Sequence, residues 1–232
     1  MLAALPARLR LASQCEVCRG WGRDRLCADC LEQFAAQAPR CRGCALRLGV
    51  ELDRCGECLR EPPPFERTVC VADYGFPWDA LLAAFKFQGR VELAGVLADR
   101  LAAAVRAAGP PLPDLVAPVP LAAARLAERG YNQAWELARR VAGRLGVAAH
   151  AEALLRVGSA THQGDLPRAQ RLQNLRGAFV VEPRHRGWVA ACRVALVDDV
   201  MTTGATAREA AQALKRGGAA AVEVWVLART PE

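Results

Sequence analysis

Eight of the ten cysteines fall within the first 58 residues, in four Cys-x-x-Cys pairs: Cys15/Cys18, Cys27/Cys30, Cys41/Cys44 and Cys55/Cys58. A two-residue gap lets a tight turn present both sulfurs to one ion, and two such turns complete a tetrahedron. The intervals between pairs are 8, 10 and 10 residues, room for a hairpin or a short loop. A disulfide framework would need an oxidising compartment. The apolar start Met1 to Leu5 is closed by Pro6 and Arg8, too short for the core of an export signal. The expectation is therefore two structural Zn2+ sites in a cytoplasmic protein, each with four cysteine ligands. Consecutive pairing puts Cys15, Cys18, Cys27 and Cys30 on one ion and Cys41, Cys44, Cys55 and Cys58 on the other. An interleaved pairing, first with third and second with fourth, is also sterically allowed. Consecutive pairing is favoured because it closes shorter loops. A stretch of about 60 residues buries little core, so bound metal supplies much of its folding free energy.

After Cys58 the chain changes character. Pro62, Pro63 and Pro64 are a stiff punctuation mark with no further Cys-x-x-Cys beyond them, which sets a boundary near residue 64: residues 1–64 as a double zinc ribbon and 65–232 as a second domain. The second domain alternates strand and helix patterns. Residues 67–74 read as a strand, Asp79 caps a helix to Phe87, and a second helix spans 91–108. Its apolar face is Leu93, Val96, Leu97, Leu101 and Val105. Residues 114–118 read as a buried strand, and Asn132 caps a helix to Leu145. Further strands are expected at 178–181, 193–197 and 221–227. Strands separated by helices argue for an α/β fold with a parallel sheet covered on its faces. Cys70 and Cys192 lie in strand-like apolar surroundings and read as small buried hydrophobes.

Charge narrows the classes of partner. The formal net charge is +7, but 29 of the 31 basic residues are arginine, Lys86 and Lys215 being the lysines. Two zinc-tetrathiolate sites would each add about −2, which weakens any argument from net charge alone. What remains is local: residues 121–176 hold nine arginines against four acids, a segment suited to a polyanion. Tyr131 and Trp135 lie within it and Trp21 in the first ribbon, so aromatics for base stacking are at hand. The expected footprint for single-stranded DNA is Arg125, Arg129, Arg139 and Arg140. No run of about 18 apolar residues occurs, so no membrane insertion is expected.

The chemistry concentrates in Val194-Ala-Leu-Val-Asp-Asp-Val-Met-Thr-Thr-Gly-Ala-Thr206, a buried strand, two carboxylates and a small-residue turn opening the helix 205–216. Such a turn aims successive backbone N–H groups at one spot, where the helix dipole adds to them and phosphate binds. Thr202, Thr203 and Thr206 supply hydroxyls, and Gly204 allows close approach of the backbone. Asp198 and Asp199 stand at the carboxyl end of the strand, where α/β sheets hold ligands, and can accept from vicinal hydroxyls. A phosphate with a diol beside it is a ribose 5-phosphate. Lys86, between Phe85 and Phe87, reads either as an anion-binding residue or as a lysine whose stem covers apolar surface.

This segment resembles the phosphoribosyl-pyrophosphate signature of type I phosphoribosyltransferases. The likeness widens to Pro118-Val-Pro-Leu121, Arg125, Arg129-Gly-Tyr-Asn-Gln133, Thr161, Gln163, Arg171, Asn174 and Phe179. With cysteine knuckles in front, the whole chain is similar to the ComF family of competence-associated proteins. The resemblance implies a double zinc ribbon ahead of a phosphoribosyltransferase type I domain, and a role in natural transformation, the uptake of DNA as single strands. It implies that Asp198 and Asp199 take the ribose hydroxyls, as the catalytic acids, and that Thr202, Thr203, Gly204, Ala205 and Thr206 take the 5-phosphate. The loop after Pro118-Val-Pro120 would hold the pyrophosphate, with Arg125 and Arg129 as its partners, and Lys86 joins the candidate residues that bind the phosphoribosyl pyrophosphate. Mg2+ would be held mainly by oxygens of the ligand itself. The implied partners are phosphoribosyl pyrophosphate, single-stranded DNA and competence-machinery proteins such as a DNA helicase. Purine-salvage members carry an acid where this chain has Thr202, so the resemblance leaves the acceptor open. Two readings follow: a phosphoribosyltransferase of unknown acceptor, or a non-catalytic sugar-phosphate or nucleotide sensor acting as a DNA- and protein-binding adaptor.

Overall fold

The structure, a computed structural model, describes residues 12–157 and 177–231. The chain forms two compact units, Met1–Ala36 and Gln37–Glu232. In the first, strands β1 (Ser13–Gln14) and β2 (Trp21–Gly22) pair antiparallel around the Cys15/Cys18 turn. Helix α1 (Ala28–Phe34) follows, with Cys27 at its N-cap position and Cys30 in its first turn.

The second unit opens with a turn of the same kind at Cys41/Cys44 and a short helix α2 (Gly56–Arg60) that starts after Cys55 and carries Cys58. Then come β3 (Arg67–Asp73), α3 (Trp78–Phe87), α4 (Leu93–Ala107), β4 (Leu115–Pro118), α5 (Ala123–Arg129) and α6 (Gln133–Leu145). The two-residue β5 (Ala148–Ala149), β6 (Leu154–Arg156), β7 (Phe179–Val181) and a short α7 (Arg186–Val189) follow. The chain closes with β8 (Arg193–Met201), α8 (Ala205–Arg216) and β9 (Ala221–Arg229). Five strands form one parallel sheet in the order β3-β9-β8-β4-β5.

The sequence dictates much of this. All nine residues of β9 are buried, as a central parallel strand covered on both faces requires. Glu223 is tolerated inside because Arg67 pairs with it at 3.0 Å and the Trp225 indole N–H donates to it at 3.2 Å. Helices α4 and α6 pack on one face. On α4, Leu93, Leu97, Leu101 and Val105 are fully buried; Val96 sits at the margin of that stripe and is half-buried. Helix α8 covers the other face, where Leu115, Ala117, Val194, Leu196, Val222 and Val224 join its buried alanines.

Two expectations need adjusting. The strand at residues 178–181 is real, but it does not belong to the parallel sheet. As β7 it pairs antiparallel with β6 in a separate ribbon. Its buried-exposed-buried alternation is that of a half-covered ribbon, which three apolar letters cannot distinguish from a sheet interior. The edge place is taken by β5, too short and alanine-rich to be read as a strand. Asp79 lies in the first turn of α3 rather than at its cap, which falls at Pro77. Asn132 does cap α6, its side chain accepting from the N–H groups of Ala134 and Trp135.

Candidate functional site

The eight ribbon cysteines form two clusters, Cys15/Cys18/Cys27/Cys30 and Cys41/Cys44/Cys55/Cys58, with the sulfurs of each within 4.8 Å of one another. The pairing is thus consecutive. Cys18–Cys27 and Cys44–Cys55 sulfur separations are both 3.7 Å, near the edge of a tetrahedron built on zinc–sulfur bonds of about 2.3 Å. All ten cysteines are free thiols. The N–H of Cys27 points at the Cys15 sulfur and that of Cys55 at the Cys41 sulfur, the same backbone device in both clusters. Burial pushes the Cys30 thiol up to about 12 and raises the Cys58 thiol as well. At Cys15 and Cys41 the backbone N–H groups outweigh burial and lower the thiols to about 6 and about 7. Four sulfurs at tetrahedral spacing, some poised as thiolates, fit a structural zinc ion in each cluster.

The second site arises from topology. From β4 the chain proceeds outward to β5, and from β8 it proceeds the other way to β9, so the order reverses between β4 and β8. A crevice opens at the carboxyl ends of strands on either side of such a reversal. Both predicted loops are there: the one after β4, where the Val119 N–H donates to Val197 O at 2.8 Å, and the one from β8 to α8. The resemblance motif at residues 129–133 holds this crevice together. Asn132, besides capping α6, donates from Nδ2 to the Val119 carbonyl at 3.1 Å. The Tyr131 hydroxyl donates to the Phe85 carbonyl, tying down the end of α3. Tyr131 is thus spent on positioning.

Successive strand residues face opposite ways, and the two carboxylates differ accordingly. Asp198 faces the recess lined by Met201, Thr202, Gly204, Ala205 and Thr206. Its Oδ1 accepts the Asp199 N–H at 2.9 Å. Desolvation, reinforced by the Asp199 charge, pushes Asp198 up to about 8. Asp199 is buried, with Oδ1 2.9 Å from the Lys86 ammonium and Oδ2 without a partner among the described residues. A buried carboxylate oxygen with no donor fits a site that takes a hydroxyl or a hydrated cation. Lys86 therefore neither stands free for an anion nor merely covers apolar surface: it is the counter-ion of Asp199, and its charge also opposes the upward shift of Asp198. Gly204 sits at φ +76° at the start of α8, a left-handed conformation that aims the N-terminal amides of the helix into the recess. Thr203 Oγ1 accepts from the Ala205 N–H at 3.4 Å.

No protein-family model matches the chain. Individual proteins do. DNA utilization protein YhgH of Salmonella typhi is 38% identical over 232 residues, covering 96% of this chain and 99% of its own length. The protein of that name in Escherichia coli strain K12 is 36% identical with the same coverage. Competence protein F of Haemophilus influenzae is 34% identical over 223 residues, covering 93% and 96%. The chain belongs to the ComF family. Among solved structures, the glutamine phosphoribosylpyrophosphate amidotransferase of B. subtilis overlaps 59% of this ComF-family chain and 25% of its own, at 24% identity and a TM-score of 0.37.

In this ComF-family protein the basic segment proves divided. Arg139 and Arg140 both bind Glu136 and, against the effect of its burial, hold that carboxyl below its usual range. Arg144 is bound to Asp99 and to the Gly95 carbonyl. Arg125 is exposed on α5, while the Arg129 guanidinium lies 4.8 Å from the Phe87 ring centroid and donates to Gln133 Oε1 at 3.1 Å. Among the described residues, no hydrogen bond or ion pair joins Arg125 or Arg129 to Asp198 or Asp199. Thr161, Gln163, Arg171 and Asn174 lie outside the described residues. Sequence reasoning missed Arg156 at the end of β6. It is half-buried, 5.7 Å from the Phe179 ring centroid, with its proton affinity lowered by desolvation and by the charge of Arg125. No motif signals it, because only pairing with β7 brings it there.

Proposed function

We propose that the crevice between β4 and β8 binds phosphoribosyl pyrophosphate with Mg2+ in a protein of DNA utilisation and natural transformation. The observation that carries the reading is the partnerless Oδ2 of buried Asp199, beside Asp198 and the glycine-opened helix terminus at the sheet's reversal point. Asp198 and Asp199 accept the ribose hydroxyls. The amides and hydroxyls of 202–206 hold the 5-phosphate. Mg2+ is carried mainly by ligand oxygens and screens the pyrophosphate charge. Lys86, 2.9 Å from Oδ1, orients Asp199, and Asn132 holds the opposite loop. The proposed domain division is the ribbon segment 1–64 and the phosphoribosyltransferase-like segment 65–232. The curated relatives' names, DNA utilization protein and competence protein F, support the cellular role. No described helix is long and apolar enough to cross a membrane, and a cytoplasmic site of action with single-stranded DNA suits the reading.

Calorimetric titration of the zinc-loaded protein with phosphoribosyl pyrophosphate and Mg2+ tests it. The intact chain should show saturable binding that Asp198→Asn with Asp199→Asn abolishes; no binding by the intact chain overturns the proposal. Pyrophosphate release on adding an acceptor then separates a transferase from a sensor.

Acidity supplies a further check. Asp198 sits above the ordinary carboxylate range in the folded protein, so its ionisation opposes folding. That cost grows from about pH 4 to about pH 8 and is level above. Asp198→Asn should therefore raise the melting temperature at pH 9 and leave it unchanged near pH 4. Ligand affinity of the intact protein should rise from pH 6.5 to 9, as Asp198 becomes an acceptor, and be flat in Asp198→Asn.

A further inference from the structure

The turn at residues 202–206 is bracketed by two arginines, and both reach back to the second cysteine ribbon. On the strand side, Met201 ends β8, is 3% exposed and packs against the turn, its sulfur 3.6 Å from where a Cβ on Gly204 would stand. The Met201 carbonyl accepts the Thr230 N–H at 3.0 Å, and Arg229, opposite Met201 in the β8–β9 register, donates to the Thr230 carbonyl. The same guanidinium donates from Nε to the carbonyl of Cys44 at 3.0 Å. On the helix side, the Arg208 N–H donates to the Gly204 carbonyl at 2.9 Å in the first turn of α8. From there its Nη2 donates to the carbonyl of Glu61 at 3.1 Å. Glu61 is the C-cap of α2, the helix that carries Cys58. Residues 41–61 are too few to bury a core of their own, so metal on their four sulfurs supplies much of the rigidity that fixes these two carbonyls. Arg229 is 4% exposed, and displacing its Cys44 acceptor takes a hydrogen bond from a buried charge, a costly change that falls next on Thr230 and Met201. Further along α8, Lys215 pairs with Glu66 at 2.8 Å, a contact that docks the helix away from the turn.

We infer that Arg229 and Arg208 are positioning residues that couple the second cysteine cluster to the turn at 202–206. Given the sugar-phosphate reading of the crevice, on which this rests, a zinc ion in that cluster and a sugar phosphate on the turn each tighten binding of the other, because coupling between two sites acts equally in both directions. Arg229 holds the strand end of the turn and Arg208 its helix end.

The test uses the full chain in two variants that each keep one zinc ion, Cys30→Ser with the second cluster filled and Cys58→Ser with the first. Zinc affinity is measured by competition with a chromogenic chelator, with and without phosphoribosyl pyrophosphate and Mg2+. The ligand should raise zinc affinity roughly tenfold in Cys30→Ser, a usual scale for coupling between two sites, and leave Cys58→Ser unchanged. Phosphoribosyl pyrophosphate should in turn bind Cys58→Ser more weakly than Cys30→Ser by the same factor. Adding Arg208→Met to Cys30→Ser should remove the gain with one equivalent of zinc still bound. Arg229→Lys, which keeps a donor, should retain part of the gain, and Lys215→Met all of it. An equal gain in Cys30→Ser and Cys58→Ser, a full gain in Arg208→Met, or a loss in Lys215→Met as great as in Arg208→Met overturns the inference. If the intact chain does not bind phosphoribosyl pyrophosphate, the crevice reading falls and hydrogen exchange decides the coupling without ligand. Relative to α4, residues 199–210 should then exchange faster in Cys58→Ser than in Cys30→Ser, and equal exchange overturns the coupling as well. If the ligand binds and zinc affinity does not respond, the crevice reading stands and the coupling falls.

Discussion

The cluster at Cys15–Cys30 and the cluster at Cys41–Cys58 use the same parts: a Cys-x-x-Cys turn, a third cysteine at a helix cap position and a fourth in the first turn. Their surroundings differ. The first is braced within its own small unit, by the β1–β2 pair and by the Glu16–Arg25 ion pair, and it exposes Trp21. The second is sewn to the edge of the sheet. Arg40 pairs with Asp73 at 2.6 Å, the Thr68 hydroxyl donates to the Gly43 carbonyl at 2.6 Å, and Arg229 at the end of β9 donates to the Cys44 carbonyl at 3.0 Å. Gly43 lies so close to Cys58 that an added Cβ would stand 2.9 Å from the sulfur. The same pair of Cys-x-x-Cys turns therefore yields one cluster braced within its own small unit and one fastened to the sheet. Chelation is a local property, and docking is not.

The largest effect should come from removing a ligand. Cys58→Ser and Cys30→Ser should each lower zinc from two equivalents to one. Cys58→Ser should also lower the main thermal transition by roughly 5–10 °C, because lost docking of a few kcal/mol acts on the sheet unit, while Cys30→Ser leaves that transition within about 2 °C. Equal shifts in the two variants would break the contrast. Next comes Gly43→Ala, where overpacking costs about 1–3 kcal/mol and one zinc should be lost to a chelator much earlier. Gly22→Ala in the first unit meets nothing within 4 Å and should behave as the parent. A smaller loss, about 1 kcal/mol, is expected for Thr68→Val, which strands the Gly43 carbonyl; its melting point should fall with zinc content unchanged. Arg47→Gln should change least. Arg47 reaches Asp73 at 3.4 Å from a side chain 66% exposed, and such pairs contribute about 0–1 kcal/mol. A loss in Arg47→Gln as great as in Thr68→Val would show that charge, rather than the hydroxyl, fastens the second cluster.

The same division governs the crevice. The signature at 194–206 was legible because each of its parts is fixed by its neighbours: a buried apolar run for the strand, paired acids at its end, and a glycine where φ must be positive. Helices α4, α6 and α8 were legible from apolar periodicity. Lys86 was visible as unusual, but its role was not, since it depends on α3 reaching a residue more than a hundred positions away. The arginines between 121 and 176 looked equivalent in sequence. Those among the described residues differ through contacts such as Arg144 with Asp99, which no spacing rule foresees. The ribbon β6–β7 was misplaced because three apolar residues carry no record of the strand they will pair with.

Sequence alone placed the four Cys-x-x-Cys turns and the glycine-opened turn at residues 202–206, and indicated that helices cover a parallel sheet. These are consequences of short-range geometry, set by spacings of two to four residues. The tertiary structure decided the rest: that the cysteines cluster consecutively, that the second cluster is fastened to β3 and β9, that Lys86 answers Asp199, and that Arg129 lies over an exposed Phe87. Each of these is a balance of charge and burial between segments far apart in the chain, and only folding sets the distances on which such balances depend.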